Sequence, residues 1–302
     1  MTLLTFAAAA ACADRTPPPP APTAAEHRAA VGEWSAGRIA SLREPIGWLS
    51  LAGLYWIEPG RSTFGADPSS TFVYDVPGQT IPGHIGTFVA ADSGVTFQPA
   101  TEAPVETDTG ALTSAIVTDG GESSPVLRSG SLQWRVIRRG DRLAVRLWDT
   151  LSVTRSTFAG IDRFPVTLAW RFPARFIVTE PPDTIDVPNI LGTVNRTPSP
   201  GRVEFEYAGE TFSLMTWKDS DDPANFFTAF ADATSGALTY GGGRFLWIDA
   251  PDANGWTVVD FNRAYNPPCV FTDYATCPLA PLPNRLPFAI EAGEKTWSVA
   301  AR

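Results

Sequence analysis

The chain has only two histidines, three cysteines and two methionines among its 302 residues, and those scarcities remove several familiar chemistries. His27 falls in a helical stretch and His84 in a Pro-Gly-His turn, and neither belongs to an H-E-x-x-H pattern. A Ser-His-Asp triad would rest on His84, whose turn position offers no obvious acid. The chain lacks a G-x-S-x-G elbow, a Walker loop and a G-x-G-x-x-G that opens a helix. Gly241-Gly242-Gly243 is followed by neither Lys-Ser/Thr nor a helix, so it reads as a place where the backbone kinks or approaches a neighbour closely. Cys269 and Cys277 have no nearby His or further Cys to complete four ligands, so no zinc site is expected, nor any other metal or cofactor. No apolar run reaches the roughly 18 residues of a membrane helix. A net charge of -9 and a pI near 4.8 exclude nucleic acid and an anionic membrane surface as partners.

What is present points to a folded, exported chain. Hydrophobic residues make up 44% and charged residues 18%, enough for a packed core. Ten tryptophans and 28 prolines suit a large β structure and its loops. Leu3 to Ala11 form a short apolar run that ends at Cys12. That arrangement is read as an export signal over residues 1–12 that leaves Cys12 as a lipidated first residue; a plain secretory signal cut nearby is the alternative. Residues 13–22, with Pro17 to Pro20 and Pro22, form a stiff tether, and 23–302 a single domain. The expected location is the cell envelope, with membrane contact through the lipid anchor alone. If Cys12 carries lipid, Cys269 and Cys277 remain to pair in an oxidising compartment, which contributes about 2–3 kcal/mol. A nucleophilic Cys269 is the competing reading.

Thr23-Ala24-Ala25-Glu26 is a capping-box pattern, and Val31, Trp34, Ile39 and Leu42 follow along one helical face until Pro45. Beyond it the period is mostly two. Strands are expected at 71–76, 85–90, 94–98, 111–118, 132–138, 142–148, 166–172, 175–179, 202–207, 211–217, 226–230, 244–248 and 256–261. Turn signals separate them at Ala91-Asp92-Ser93-Gly94, Arg139-Gly140-Asp141, Ala208-Gly209 and Thr234-Ser235-Gly236. This spacing predicts a mainly β fold, an antiparallel barrel or sandwich with one N-terminal helix. A weak seam falls around residues 150–163.

The densest chemistry lies in Asp260-Phe261-Asn262-Arg263-Ala264-Tyr265-Asn266-Pro267-Pro268-Cys269, with Cys277 and Asn284-Arg285 behind it. Polar groups are rarely collected for packing, because each needs a partner once desolvated. Arg263 offers a planar fork to a carboxylate or phosphate, Tyr265 a phenol, and Asn262, Asn266 and Arg285 further donors. Asp260 or Asp273 is a candidate general base. If Asp260 to Ala264 stay extended, Asp260 and Arg263 face opposite sides, and Arg263 needs Asp232, Asp273 or an anionic ligand as partner. Asp232 and Thr234 read as a local Asx-type turn. Acids beside aromatics at Trp148-Asp149 and Asp162-Arg163-Phe164 give a weaker sugar-site signal.

Over these residues the chain resembles the family catalogued as domain of unknown function 1684. The likeness runs from Trp34 and Arg43-Glu44-Pro45 through Gly47-Trp48-Leu49-Ser50-Leu51-Ala52-Gly53-Leu54. It continues through Phe230 to Gly236, Thr239-Tyr240 and Gly243 to Leu246, and is closest from Val259 to Cys269, Cys277 to Leu279 and Asn284 to Pro287. The resemblance implies a mainly β fold and carries over no activity. Three functions follow from the residues: a protein that binds a small anionic molecule; a hydrolase with an Asp base and Arg263 stabilising negative charge; and a structural or interaction module in which the polar block locks a loop.

Overall fold

The computed structural model describes residues 16–91, 94–121, 123–218 and 224–298. The leader with Cys12, and the Asp92-Ser93 turn, lie outside them. The fold is mainly β, its pairing almost wholly antiparallel, with one long helix at Ala24–Leu42. Thr23 caps that helix by accepting from the Glu26 amide, while Glu26 returns the bond to the Thr23 amide at 2.8 Å.

Two sheets enclose the first core. One runs in the order 51–56, 142–149, 132–139, 127–129, 106–107, 110–111, and the other 72–73, 60–65, 86–91, 94–99, 116–118. Trp134 from one sheet meets Phe64 from the other edge-on at 5.3 Å, and Phe88, Phe97, Val145 and Leu147 complete the cluster. Strict alternation on Leu132–Arg139 and Arg142–Asp149 turns Trp134, Val136, Val145 and Leu147 inward, as period two requires.

The second half holds a four-stranded sheet in the order 210–216, 194–207, 171–188, 256–260, beside the hairpin 225–230/244–249. Its core is aromatic: Phe261 stands edge-on to Phe172, Phe205 and Phe230. Gly243, at φ +97, passes so close to Phe230 that a Cβ would lie 2.5 Å from the carbonyl oxygen. The glycine run is therefore a close backbone approach.

Several expectations change. Residues 166–172 do not form one strand: Leu168–Trp170 is a 3-10 turn whose start Thr167 caps, and the strand begins at Arg171. That strand then runs 18 residues to Pro188, with an irregularity in its pairing between Val178 and Asp183. Of 111–118, only Ala111 and Ile116–Thr118 are in strands. Leu51–Trp56 is an unanticipated edge strand; its residues are apolar throughout and so show no alternation.

Candidate functional site

The polar block 260–266 does not stay extended. Asp260 ends a strand and caps a 3-10 turn, Phe261–Arg263, its Oδ1 accepting from the Asn262 amide at 3.1 Å. The extended run on which the expected alternation rested is therefore replaced by a turn, although Asp260 and Asn262 still meet, as alternation would also have them. Asn262 Nδ2 donates to Asp260 Oδ1 at 2.8 Å and to the Thr167 carbonyl at 2.9 Å, and its Oδ1 accepts from the Thr167 amide at 3.0 Å.

The other oxygen of Asp260 reaches across the molecule. His27 Nε2 lies 2.8 Å from Asp260 Oδ2, and the imidazole is buried. A carboxylate only accepts, so Nε2 carries the hydrogen and Nδ1 is left as an acceptor in the neutral ring. Nδ1 is buried and has no hydrogen-bond partner.

A second knot lies beside this pair. Residues 162–164 and 293–295 run antiparallel, and Arg163 bridges to Glu294. The Glu294 carboxylate is buried; its Oε2 accepts from the Asn266 amide at 2.7 Å, while Oε1 stands 3.5 Å from Arg38 Nε and 3.7 Å from Arg163 Nη1. Arg38 Nη2 donates to the Asn266 carbonyl at 2.8 Å, and Arg163 Nη2 donates to the Asn262 carbonyl. Asn266 Nδ2 donates to the Lys295 carbonyl at 2.7 Å. Tyr265 offers its ring to this knot, with the Arg38 guanidinium 4.5 Å from its centroid; Arg163 lies 5.2 Å from Trp34. Arg38 Nε, Arg163 Nη1 and Asn266 Oδ1 are buried without a hydrogen bond. Burial holds the Arg163 guanidinium below its ordinary range, opposed by Glu294 and reinforced by Arg38.

Other expected site residues lie elsewhere. Asp232 does not pair with Arg263. Its Oδ2 binds Arg244 Nη2 at 2.8 Å in a fully buried ion pair, and its Oδ1 accepts from the amide and hydroxyl of Thr234 at 2.8 and 2.6 Å. Arg244 also donates to the carbonyls of Ala292 and Ile290, so the pair ties the C-terminal segment down. Asn284 spends its side chain on Met215, Thr228 and Ala229. Arg285 and Asp273 are exposed. Arg263 is half-buried, makes no hydrogen bond or ion pair among the described residues, and has a buried Nε without a partner. Cys269 and Cys277 are joined, Cα atoms 6.2 Å apart, closing a loop that also binds Leu51 and the 188–190 turn.

His27, Arg38, Arg163 and Glu294 are the members that reading for motifs passed over. His27 and Arg38 share the helical face of Val31 and Trp34, at spacings of four and seven. That face was legible in its apolar members alone. Two clefts open elsewhere, of about 530 Å³ along 99–106 and 111–113, and about 170 Å³ beside Thr80–Pro82 and 129–132; neither touches the knot. Among the described residues no group of three or more His, Cys, Asp or Glu is placed to hold a metal ion.

The family model described as "Protein of unknown function (DUF1684)" matches residues 156–295. The match covers the polar block and both cysteines, and does not extend to Trp34–Leu54. The solution NMR structure of an uncharacterised protein of Haloarcula marismortui is 31% identical, over 47% of this chain and 80% of that one, with a TM-score of 0.40. None of the curated proteins matches the chain.

Proposed function

The chain belongs to the DUF1684 family of proteins of unknown function, and on that premise we propose that it binds a small anionic molecule at the knot of Arg38, Arg163, Asn266 and Glu294. The observation that carries this reading is a set of buried groups without a hydrogen bond: two guanidinium N–H donors, which face Glu294 Oε1 only at 3.5 and 3.7 Å, and one amide oxygen. Unpaired buried polar atoms are costly, and three in one knot call for an occupant. Arg38 and Arg163 face Glu294, with Asp260 a further acid acting on Arg163, and the two planar guanidinium forks suit a small anion. The Asn266 oxygen adds a demand for a hydrogen-bond donor, so a hydroxy acid or a similar small molecule satisfies the set. Arg38 and Arg163 keep 13% and 16% of their side-chain surface exposed. In the same reading the protein is exported and held at the envelope through Cys12.

The test is a thermal-shift screen of residues 22–302 against hydroxy acids, other metabolites and sugars, with Arg163→Met and Arg263→Ala beside the wild type. The reading predicts a compound that raises the melting temperature of the wild type and not of folded Arg163→Met. A shift that survives in Arg163→Met, or no shift with any compound, refutes it; the block is then the lock for the C-terminal loop.

A second reading, hydrolysis, is favoured by the His27–Asp260 pair. Asp260 orients the imidazole and the unpartnered Nδ1 acts as general base, in place of Asp273 or a bare Asp260. Turnover lost in Asp260→Asn with binding retained would support it.

A further inference from the structure

We propose that the outer face of the first sheet carries a separate site for a small oxyanion, a phosphate or carboxylate group, built on Arg146 and Trp48. The strands 132–139 and 142–149 pair Arg135 with Arg146, Ile137 with Ala144 and Arg139 with Arg142. Their alternate residues Trp134, Val136, Val145 and Leu147 fill the first core, so these three register pairs face the other way. Four arginines therefore share one sheet face, on a chain whose net charge is -9. The neighbouring segment answers with tryptophans: Trp56 lies 4.1 Å from the Arg142 guanidinium and Trp48 lies 5.3 Å from that of Arg146.

The two ends of this ladder differ in what balances them. Arg142 has a carboxylate, Glu58 Oε1 at 3.4 Å. Arg146 is half-buried, has no acid and no hydrogen-bond partner among the described residues, and its Nε is buried and unspent. Burial, and then the charges of Arg139 and Arg135, push its guanidinium down to about 10, the direction of a cation short of a counter-ion. A desolvated cation facing like charges is not assembled for packing, since an aliphatic residue would fill the same space without the electrostatic cost. Trp48 lies against the guanidinium, and a planar or tetrahedral oxyanion is the partner that the arginine fork fits. The knot at Glu294 shares none of these residues, so the two proposals stand or fall separately.

The probe is inorganic phosphate added to the full chain at constant ionic strength, with chloride as the balancing anion and succinate as a carboxylate in a parallel series. The wild type is expected to show a saturable rise in melting temperature of about 2–4 °C. Arg146→Met should lose that rise while melting no lower than the wild type without phosphate, and Arg38→Met should keep it. Whichever of phosphate or succinate saturates names the oxyanion. A readout that needs no variant is the set of arginine Nε–H resonances, of which that of Arg146 should move with the same saturation. The proposal is overturned if neither anion has a saturable effect, if Arg146→Met keeps the effect, if only Arg38→Met loses it, or if no arginine Nε–H resonance responds.

Discussion

His27 Nε2 lies 2.8 Å from Asp260 Oδ2, joining the first turn of the N-terminal helix to the end of a strand 233 residues later. Asp260 uses its other oxygen to hold Asn262 in the 3-10 turn. One carboxylate thus fixes both the helix and the start of the polar block. Losing a charged hydrogen bond of this kind costs about 1.5–3 kcal/mol. His27→Ala is expected to lower stability by that much in urea unfolding and to expose residues 24–42 to protease. A double-mutant cycle with Asp260→Asn should show clear coupling; additive effects would separate the two residues.

Arg244 and Asp232 form the most deeply buried ion pair among the described residues. Arg244→Met strands a buried carboxylate and should cost about 3–5 kcal/mol. Replacing both partners with apolar residues should cost less than that single change, apart from the lost anchors at Ile290 and Ala292. Chemical denaturation of the two variants beside the wild type decides it.

Asn284 is fully buried and satisfies groups of Met215, Thr228 and Ala229 from one side chain. Asn284→Asp keeps the shape but turns donors to two carbonyls and a hydroxyl into an acceptor. It should destabilise by more than about 2 kcal/mol, and by more than Asn284→Ser. Equal melting temperatures for the two variants would show that the amide is not what holds the loop.

The tyrosines give a pH signature. Burial, with Tyr274 second, pushes the Tyr55 phenol up to about 12; burial and the neighbouring Asp149 push Tyr74 higher still, and burial raises Tyr240. Each phenol keeps its proton in the folded chain at a pH where the unfolded chain loses it. Stability contributed by these groups is therefore complete below pH 10 and falls as the pH climbs from there. Absorbance at 295 nm should show these three of the six tyrosines titrating late. Tyr55→Phe and Tyr74→Phe should each flatten the alkaline loss of stability.

Local signals in the sequence carried the helix, its capping box and most of the strands, because alternation and turn residues are written within a few positions. The strand 171–188 was harder, since Pro181-Pro182 falls where the pairing with 194–207 is interrupted, between Val178 and Asp183. The candidate site divides the same way. Asp260, Asn262 and Asn266 stood out as a cluster, but their partners His27, Arg38, Arg163 and Glu294 lie 28 to 233 residues away. No spacing rule links such positions. Arg263 attracted attention as the charged member of the block, yet the turn at 261–263 gives it no ion-pair partner among the described residues. Arg38 does that work, from a helical face read for its apolar residues.

The most direct measurement is a crystal structure of the chain grown with the acid that gives the largest thermal shift. The account predicts that the acid's oxygens accept from Arg38 Nε and Arg163 Nη1 and that its donor meets Asn266 Oδ1. A knot in which both arginines hydrogen-bond Glu294 directly, or one that holds nothing beyond water, would contradict it.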